Sequence, residues 1–187
     1  GIKTLAQLVE QSKAKALNFS SAGSGSPGHL AVEVFAEATK NKLNHVPYRG
    51  NTPAVTAVLS GEVDGGTLAT PGMLPHVKSG KITALAVTSR QRSGLAPEIP
   101  TVGELGLKSL EQEVLYVVMA PASTPDALVQ QMAKAIGDAL QRPDVKARLA
   151  NLDLFHEGLA GAAAAKRLSG LNTRYGQLVK ATGMKVE

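Results

Sequence analysis

The chain has 187 residues and a formal net charge of +5, with 20 Lys and Arg against 15 Asp and Glu. Hydrophobic residues make up 43% and charged residues 19%, which is enough for a packed core and excludes a disordered chain. The absence of Cys excludes disulfides, thiolate metal sites and a Cys nucleophile, and 3% aromatic residues are too few to stack single-stranded nucleic acid. We expect a globular protein that does not bind nucleic acid.

Helical and strand patterns alternate through the first ninety residues. The predicted strands are 17–21, 44–48, 63–68 and 82–88, and the predicted helices are a first one capped by Thr4, then 28–40, 53–60 and 71–78. Helices that alternate with strands in this way connect parallel strands. The fold class predicted is therefore α/β, with a largely parallel sheet flanked by helices.

The pattern changes after residue 90. A connector rich in Arg, Ser, Gly and Pro precedes a predicted strand at 114–120. Thr124, Pro125 and Asp126 predict a helix start with a hydroxyl cap and an acid in the first turn. Two more helices are predicted, from Pro143 to about residue 150 and over residues 162–182. The expected inward faces of the first and last of these helices are Leu128, Val129, Met132, Ala133, Ile136 and Leu140, and Leu168, Leu171, Tyr175, Leu178 and Val179.

The segment from Ser20 to Gly28, here called the Ser/Gly loop, joins a predicted strand to a predicted helix. Its glycines allow tight turns, so that successive backbone N–H groups and hydroxyl donors can converge on one place. Because this place lies at the N-terminus of a helix, where the helix dipole favours negative charge, the loop is a candidate anion site. The candidate ligand-binding residues in it are Ser20, Ser21, Gly23, Ser24, Gly25 and Ser26. A small carboxylate or a phosphate would fit. The alternative is a solvated loop in which Ser24 or Ser26 only caps the helix.

Gly23, Gly25 and Gly28 also match the dinucleotide fingerprint Gly-x-Gly-x-x-Gly. That fingerprint requires an acid at the end of the next strand, where this chain has Tyr48 and Arg49. Because Arg49 suits a 2′-phosphate, an NADP-binding Rossmann-like domain of an oxidoreductase remains the alternative function.

Two other loops are expected beside the Ser/Gly loop, since the carboxyl ends of parallel strands share one crevice. They contribute Tyr48 and Asp64 as further candidate ligand-binding residues, and Asp64 has the alternative role of binding backbone N–H groups. His45 is interpreted as a structural residue. The four histidines show no metal spacing, and no nucleophile with a base is evident. Binding without catalysis, metal or cofactor is therefore predicted.

Ordered stretches of the chain resemble the Bug family, the periplasmic solute receptors of tripartite tricarboxylate transporters. The matching stretches are 18–31, 45–50 (HVPYRG), 61–64 (GEVD), 74–81, 86–89, 100–106 and 120–125. The resemblance implies a type II periplasmic binding protein, in which two α/β lobes close on a small carboxylate or dicarboxylate. It also implies a periplasmic location and partners among the membrane components of the transporter.

The resemblance further implies that most of the first lobe is missing. Residues 1–106 would be the second, ligand-binding lobe, and residues 107–187 a strand and helices that return to the first lobe. The first residues show no signal-peptide pattern, so a signal would lie outside this chain. Surface exposed by the missing lobe promotes association, and a dimer or a domain swap of this chain is expected.

Overall fold

The computed structural model describes residues 1–184. Its elements in chain order are α1 (Leu5–Ala14), β1 (Leu17–Ser21), α2 (Pro27–Thr39), β2 (Leu43–Pro47), α3 (Asn51–Ser60), β3 (Gly65–Gly66), α4 (Thr70–Lys78), a 3₁₀ helix (Lys108–Leu110), α5 (Asp126–Gln141), α6 (Pro143–Asn151) and α7 (Gly161–Thr182). The alternation of strand and helix through α4 confirms the predicted α/β class.

The three strands form one parallel sheet in the order β2-β1-β3. Leu17 pairs with Leu43 and Ser21 with Pro47, so β1 and β2 end at the same edge. The core around the sheet consists of buried side chains from β1, α2 and α3. They are Leu17, Phe19, Leu30, Val32, Val34, Phe35, Ala54, Val55 and Ala57. Burying a large apolar side chain of this kind contributes about 1.5–3 kcal/mol, so the sheet and its two helices form the stable centre of this part of the chain.

The third predicted strand, 63–68, is shorter than expected. Only Gly65 and Gly66 pair with β1, opposite Phe19 and Ser20. A Cβ on Gly65 would lie 2.7 Å from the Phe19 ring, and one on Gly66 would lie 2.4 Å from Ser20 Oγ. Glycine is therefore required where β3 pairs with β1 beside the side chains of Phe19 and Ser20.

The predicted strands 82–88 and 114–120 are wrong. In the first, Val87 makes a single parallel bridge to Thr101, and residues 82–88 form no ladder with any other described segment. In the second, Val114, Tyr116 and Met119 are 55%, 79% and 75% exposed. A strand needs a neighbour for its backbone N–H and C=O groups. Apolar composition alone does not supply one.

The chain divides into two compact units. One contains residues 1–114 and 178–184, and the other contains residues 115–177. The second unit has little core of its own, because α5 and α6 contain no buried residue and Leu171 is the buried residue of α7. The predicted inward face of α5 is exposed at Leu128, Val129 and Met132, and Leu168 of α7 is exposed too.

The start of α5 differs in detail from the prediction. The cap position is Pro125, and no side chain caps the helix, so the predicted role of Thr124 as a hydroxyl cap is wrong. Asp126 does lie in the first turn, where its charge faces the positive end of the helix dipole. Pro125, whose side chain has no hydrogen-bond acceptor, thus takes the N-cap position that the Thr124 hydroxyl was expected to occupy.

Candidate functional site

Three helices begin at the carboxyl edge of the sheet. Helix α2 follows β1, α3 follows β2 and α4 follows β3. The loops between them lie side by side, because Tyr48 N donates to Ser21 O at 3.0 Å and Gly50 N to Ala22 O at 3.2 Å. On the other side, Thr67 N donates to Ser20 O at 2.9 Å. The structure therefore brings the three predicted loops together at one edge.

The three N-termini favour an anion at this edge. Ser26 Oγ caps α2 by accepting from His29 N at 3.1 Å. The starts of α3 and α4, by contrast, have no side-chain cap. Uncapped first-turn N–H groups and the aligned helix dipoles attract negative charge. A carboxylate is a suitable guest for such an edge.

Close packing fixes how α2 and α4 meet the sheet. A Cβ on Gly28 would lie 2.7 Å from Thr67 O and 3.1 Å from the Cβ of Ser21. Asn51 at the start of α3 accepts from Ala69 N at 2.9 Å. Sequence reasoning missed this role of Asn51, because its partner Ala69 lies eighteen positions away in another loop and no local pattern signals the bond.

Two of the predicted ligand-binding residues are fully buried. The Ser20 hydroxyl donates to Ala54 O at 3.1 Å, and the Ser21 hydroxyl lies 2.6 Å from His45 Nε2. Ser21 Oγ also accepts from Gly23 N at 3.2 Å. Both hydroxyls are thus used to join the strand to its neighbours.

The glycines of the Ser/Gly loop are used in the same way. Gly23 and Gly25 have φ angles of 141° and 74°, which non-glycine residues rarely adopt. Gly25 N donates to His29 Nδ1 at 3.1 Å, and Ser26 Oγ donates to Ser21 Oγ at 3.3 Å. Ser24 differs from these residues: its side chain is exposed and has no hydrogen-bond partner among residues 1–184.

Tyr48 and Asp64 occupy different places. The Tyr48 phenol donates to Glu62 Oε1 at 2.8 Å, and this hydrogen bond raises the pKa of Tyr48. Asp64 lies at the amino end of the sheet, where its carboxylate accepts from Asn18 N at 2.8 Å and lies 3.5 Å from Lys15 Nζ. The prediction that Asp64 borders the Ser/Gly loop is therefore corrected, and its alternative role of binding backbone N–H groups is the one observed.

A pair of stacked histidines adjoins the Ser/Gly loop. The rings of His29 and His45 are 3.8 Å apart and nearly parallel. Burial, and then the nearby His29, lower the pKa of His45 to about 4. The structural role predicted for His45 agrees with this position. The pairing with His29 could not be read from local sequence, since the two residues are sixteen positions apart in different elements.

The fold of the chain is that of known periplasmic binding proteins. It matches "R. palustris Rpa4515 with adipate" with a TM-score of 0.85 at 23% identity, over 98% of this chain and 62% of that one. It matches MatC of Rhodopseudomonas palustris, solved with bound malate, with a TM-score of 0.71 at 23% identity, over 96% of this chain and 62% of that one. These likenesses define the class of fold.

Residues 1–184 match the Tripartite tricarboxylate transporter family receptor (TctC), and the chain belongs to this family. BugT of Bordetella pertussis (strain Tohama I) is 34% identical over 142 residues, which are 75% of this chain and 44% of BugT. The chain spans about half the length of the first curated relatives it matches, 44% of one and 49% of another. The resemblance to the Bug family is thereby confirmed.

The same match corrects one alternative. An NADP-binding domain has no support, because the family is one of receptors and the glycine fingerprint lies in a loop whose N–H groups donate hydrogen bonds within the protein.

Within residues 1–184, no group of His, Asp and Glu is placed to hold a metal ion. Over the same residues, no helix has the length and hydropathy to cross a membrane.

Proposed function

We propose that the chain is part of a periplasmic solute receptor that binds small carboxylates or dicarboxylates for a tripartite tricarboxylate-type transporter. The observation on which this rests is the edge where the N-termini of α2, α3 and α4 lie side by side, in a chain of the TctC receptor family. Adipate and malate, the ligands of the two structural neighbours, are both dicarboxylates.

Ser24 is the best-supported contact for the ligand. Its hydroxyl is exposed beside the helix N-termini, whereas the other hydroxyls of the Ser/Gly loop have partners inside the protein. On this proposal Ser20, Ser21, Gly23, Gly25 and Ser26 act by shaping the loop. Tyr48 acts through its backbone N–H, which fixes the adjoining loop to Ser21.

The proposed mechanism is closure of two lobes around the ligand. Residues 1–106 would form the second lobe, and the segment from residue 107 would return to a first lobe supplied by the rest of a full-length receptor. The exposed apolar side chains of residues 114–119 and of α5 support this division, because apolar strand and helix faces are normally covered. Closure excludes water and adds the contacts of the other lobe.

The remaining parts of the proposal follow from the family. A receptor of a transporter acts outside the cytoplasmic membrane, binds without turnover, and presents its closed form to the membrane components. It uses no cofactor. The Ser21 hydroxyl, 2.6 Å from His45 Nε2, is fully buried and out of reach of a solute, which supports a binding role without turnover.

Titration calorimetry of the full-length receptor with succinate, malate, adipate, citrate and glutamate tests this function. We expect binding of at least one carboxylate in the micromolar range or tighter, and binding by the present chain weaker by a factor of roughly 100, since half the contacts are absent. Binding of every carboxylate weaker than millimolar, or protection against heating by NADPH in its place, would contradict the proposal.

A further inference from the structure

Two histidines contact the Ser/Gly loop from inside the protein. His29 belongs to α2 and is 8% exposed, and His45 belongs to β2 and is half-buried. Their rings stack with centroids 3.8 Å apart and planes 8° apart. Each ring also makes a hydrogen bond to the loop, so the pair is connected to it at two points.

The bond of His29 fixes its protonation. Gly25 N–H donates to His29 Nδ1 at 3.1 Å, which requires a lone pair on that nitrogen. The ring proton is therefore on Nε2, which lies 3.5 Å from Glu33 Oε1. A second proton on Nδ1 would set two N–H groups against each other and release Gly25.

The bond of His45 decides the direction of a neighbouring hydroxyl. With Nε2 unprotonated, the Ser21 hydroxyl donates to it at 2.6 Å, and Ser21 Oγ is left to accept from Gly23 N and from Ser26 Oγ. With Nε2 protonated, the imidazolium donates to Ser21 Oγ, and the hydroxyl proton turns to Gly23 O at 3.2 Å. The charge of His45 thus selects between two hydrogen-bond arrangements of the loop.

We propose that His29 and His45 are positioning residues for ligand binding, which as neutral acceptors hold the Ser/Gly loop in the conformation that presents Ser24 to the ligand. This inference rests on the carboxylate-binding function proposed above. It assigns to the pair a role in affinity and in its dependence on pH, in addition to packing.

The charges around the pair are few. Strand β1 has none, and the 3₁₀ helix packed on α2 contributes Lys108. Helix α2 contributes Glu33, which faces His29, and Glu37, which pairs with Lys40. An imidazolium at this place would attract a carboxylate, which is the opposite effect from loss of the loop contacts. Because burial keeps His45 neutral at pH 7, the acceptor role dominates there.

Amide variants separate the two effects. His29→Asn and His45→Gln keep an acceptor oxygen near Nδ1 and Nε2 but do not titrate, whereas His29→Leu removes the acceptor. In calorimetry with malate or adipate near pH 7.5, we expect His29→Leu to bind about tenfold more weakly or worse, and His29→Asn to bind within about threefold of the unchanged receptor. His156→Asn, in the other compact unit, is the control and should have no effect.

The pH profile gives the second readout. From about pH 7 to about pH 4, where His45 takes up its proton, we expect the unchanged receptor to lose about twofold more affinity than His45→Gln. Protonation of the ligand is common to both proteins and cancels. Equal affinity of His29→Leu and the unchanged receptor, or a relative gain of affinity on acidification, would overturn the inference.

A measurement without ligand distinguishes failure of the inference from failure of the function. In NMR spectra of the full-length receptor, the Gly25 amide resonance should move in His29→Leu, which removes its acceptor, and stay near its original position in His29→Asn. If no carboxylate binds and the Gly25 amide responds in this way, the proposed function fails and the positioning of the loop stands. A Gly25 amide resonance that is unchanged in His29→Leu overturns the positioning role.

Discussion

The imidazole of His45 stacks on that of His29 with the ring centroids 3.8 Å apart and the planes 8° apart. One ring comes from the central part of β2 and the other from the first turn of α2. Two cationic rings at this distance repel each other, and His29 accounts for part of the lowered pKa of His45. The pair is therefore stable in its neutral form, with consequences for stability as well as for the loop.

Stability should fall in mild acid. The unfolded chain takes up a proton on His45 near pH 6.5, and the folded chain does so only near pH 4. The unfolded state thus binds more protons in this window, so the free energy of unfolding is highest above pH 6.5 and decreases as the pH falls toward 4. Because the ring is half-exposed and screened by solvent, we expect a loss of about 1 kcal/mol.

Urea denaturation at a series of pH values measures this effect. His45→Gln, which keeps the acceptor for Ser21, should show a smaller decrease over the same window. An identical decrease in both proteins would mean that other groups cause the acid sensitivity.

Replacing two helical glycines by alanine should change the stability of the protein in opposite directions. A Cβ on Gly28 would lie 2.7 Å from Thr67 O, so Gly28→Ala should force α2 away from the loop after β3 and cost about 2 kcal/mol. Gly137 lies within α5 with open space around its Cα, and Gly137→Ala should stabilise the helix by about 0.5–1 kcal/mol. Thermal unfolding of both variants gives the signs. Equal effects would argue against the close approach at Gly28.

A negative charge in the Ser/Gly loop should abolish carboxylate binding. Ser24 is exposed beside the helix N-termini, so Ser24→Asp in the full-length receptor should place its carboxylate where the ligand binds. We expect the affinity to fall by a factor of at least about 100, with a nearly unchanged melting temperature. The control is Ser169→Asp, the same change at an exposed position of α7. Unchanged affinity of Ser24→Asp in calorimetry would leave the loop only a structural role.

Asp64 should affect stability and not binding. Its carboxylate accepts from Asn18 N and lies near Lys15 at the amino end of the sheet. Asp64→Ala should therefore destabilise the protein by about 1 kcal/mol, and Asp64→Asn, which keeps one acceptor oxygen, by less. Chemical denaturation and calorimetry measure the two quantities separately. A loss of carboxylate affinity in Asp64→Asn at unchanged stability would restore Asp64 to the ligand site.

The exposed apolar segment should promote association of the present chain. Tyr116, Val118 and Met119 are 79%, 73% and 75% exposed, and apolar patches of this kind favour self-association. The dimer or domain swap stays a prediction, and light scattering across a range of concentrations tests it. Tyr116→Lys/Met119→Lys should shift the chain toward the monomer, whereas Gln131→Lys, at an exposed polar position, should not. A concentration-independent monomer for the unchanged chain would refute the expectation.

The helices were predictable from local signals. Ser26 and Pro27 start α2, Gly61 ends α3 in the left-handed region, and Pro143 starts α6, each where the sequence indicated. Such signals act over three or four residues, so the chain determines them without reference to its fold. The same holds for strand β1 and for the position of the Ser/Gly loop between β1 and α2.

The strands after β2 depended on partners that local sequence does not specify. Residues 82–88 and 114–120 have strand composition, yet a ladder requires a neighbour in register. The candidate site shows the same limit. The sequence placed hydroxyls and glycines at a helix N-terminus, but only the tertiary structure decided that Ser21 and Gly25 bind His45 and His29, and that Asp64 lies at the far end of the sheet.

The sequence by itself thus determined the α/β class, the approximate positions of the helices and the family of receptors, because periodicity, turn signals and ordered motifs are properties of the chain. The tertiary structure decided which donors remain free. A hydroxyl or an N–H group can bind a ligand only if no group inside the protein has already taken it, and that depends on residues brought together from β1, β2 and α2.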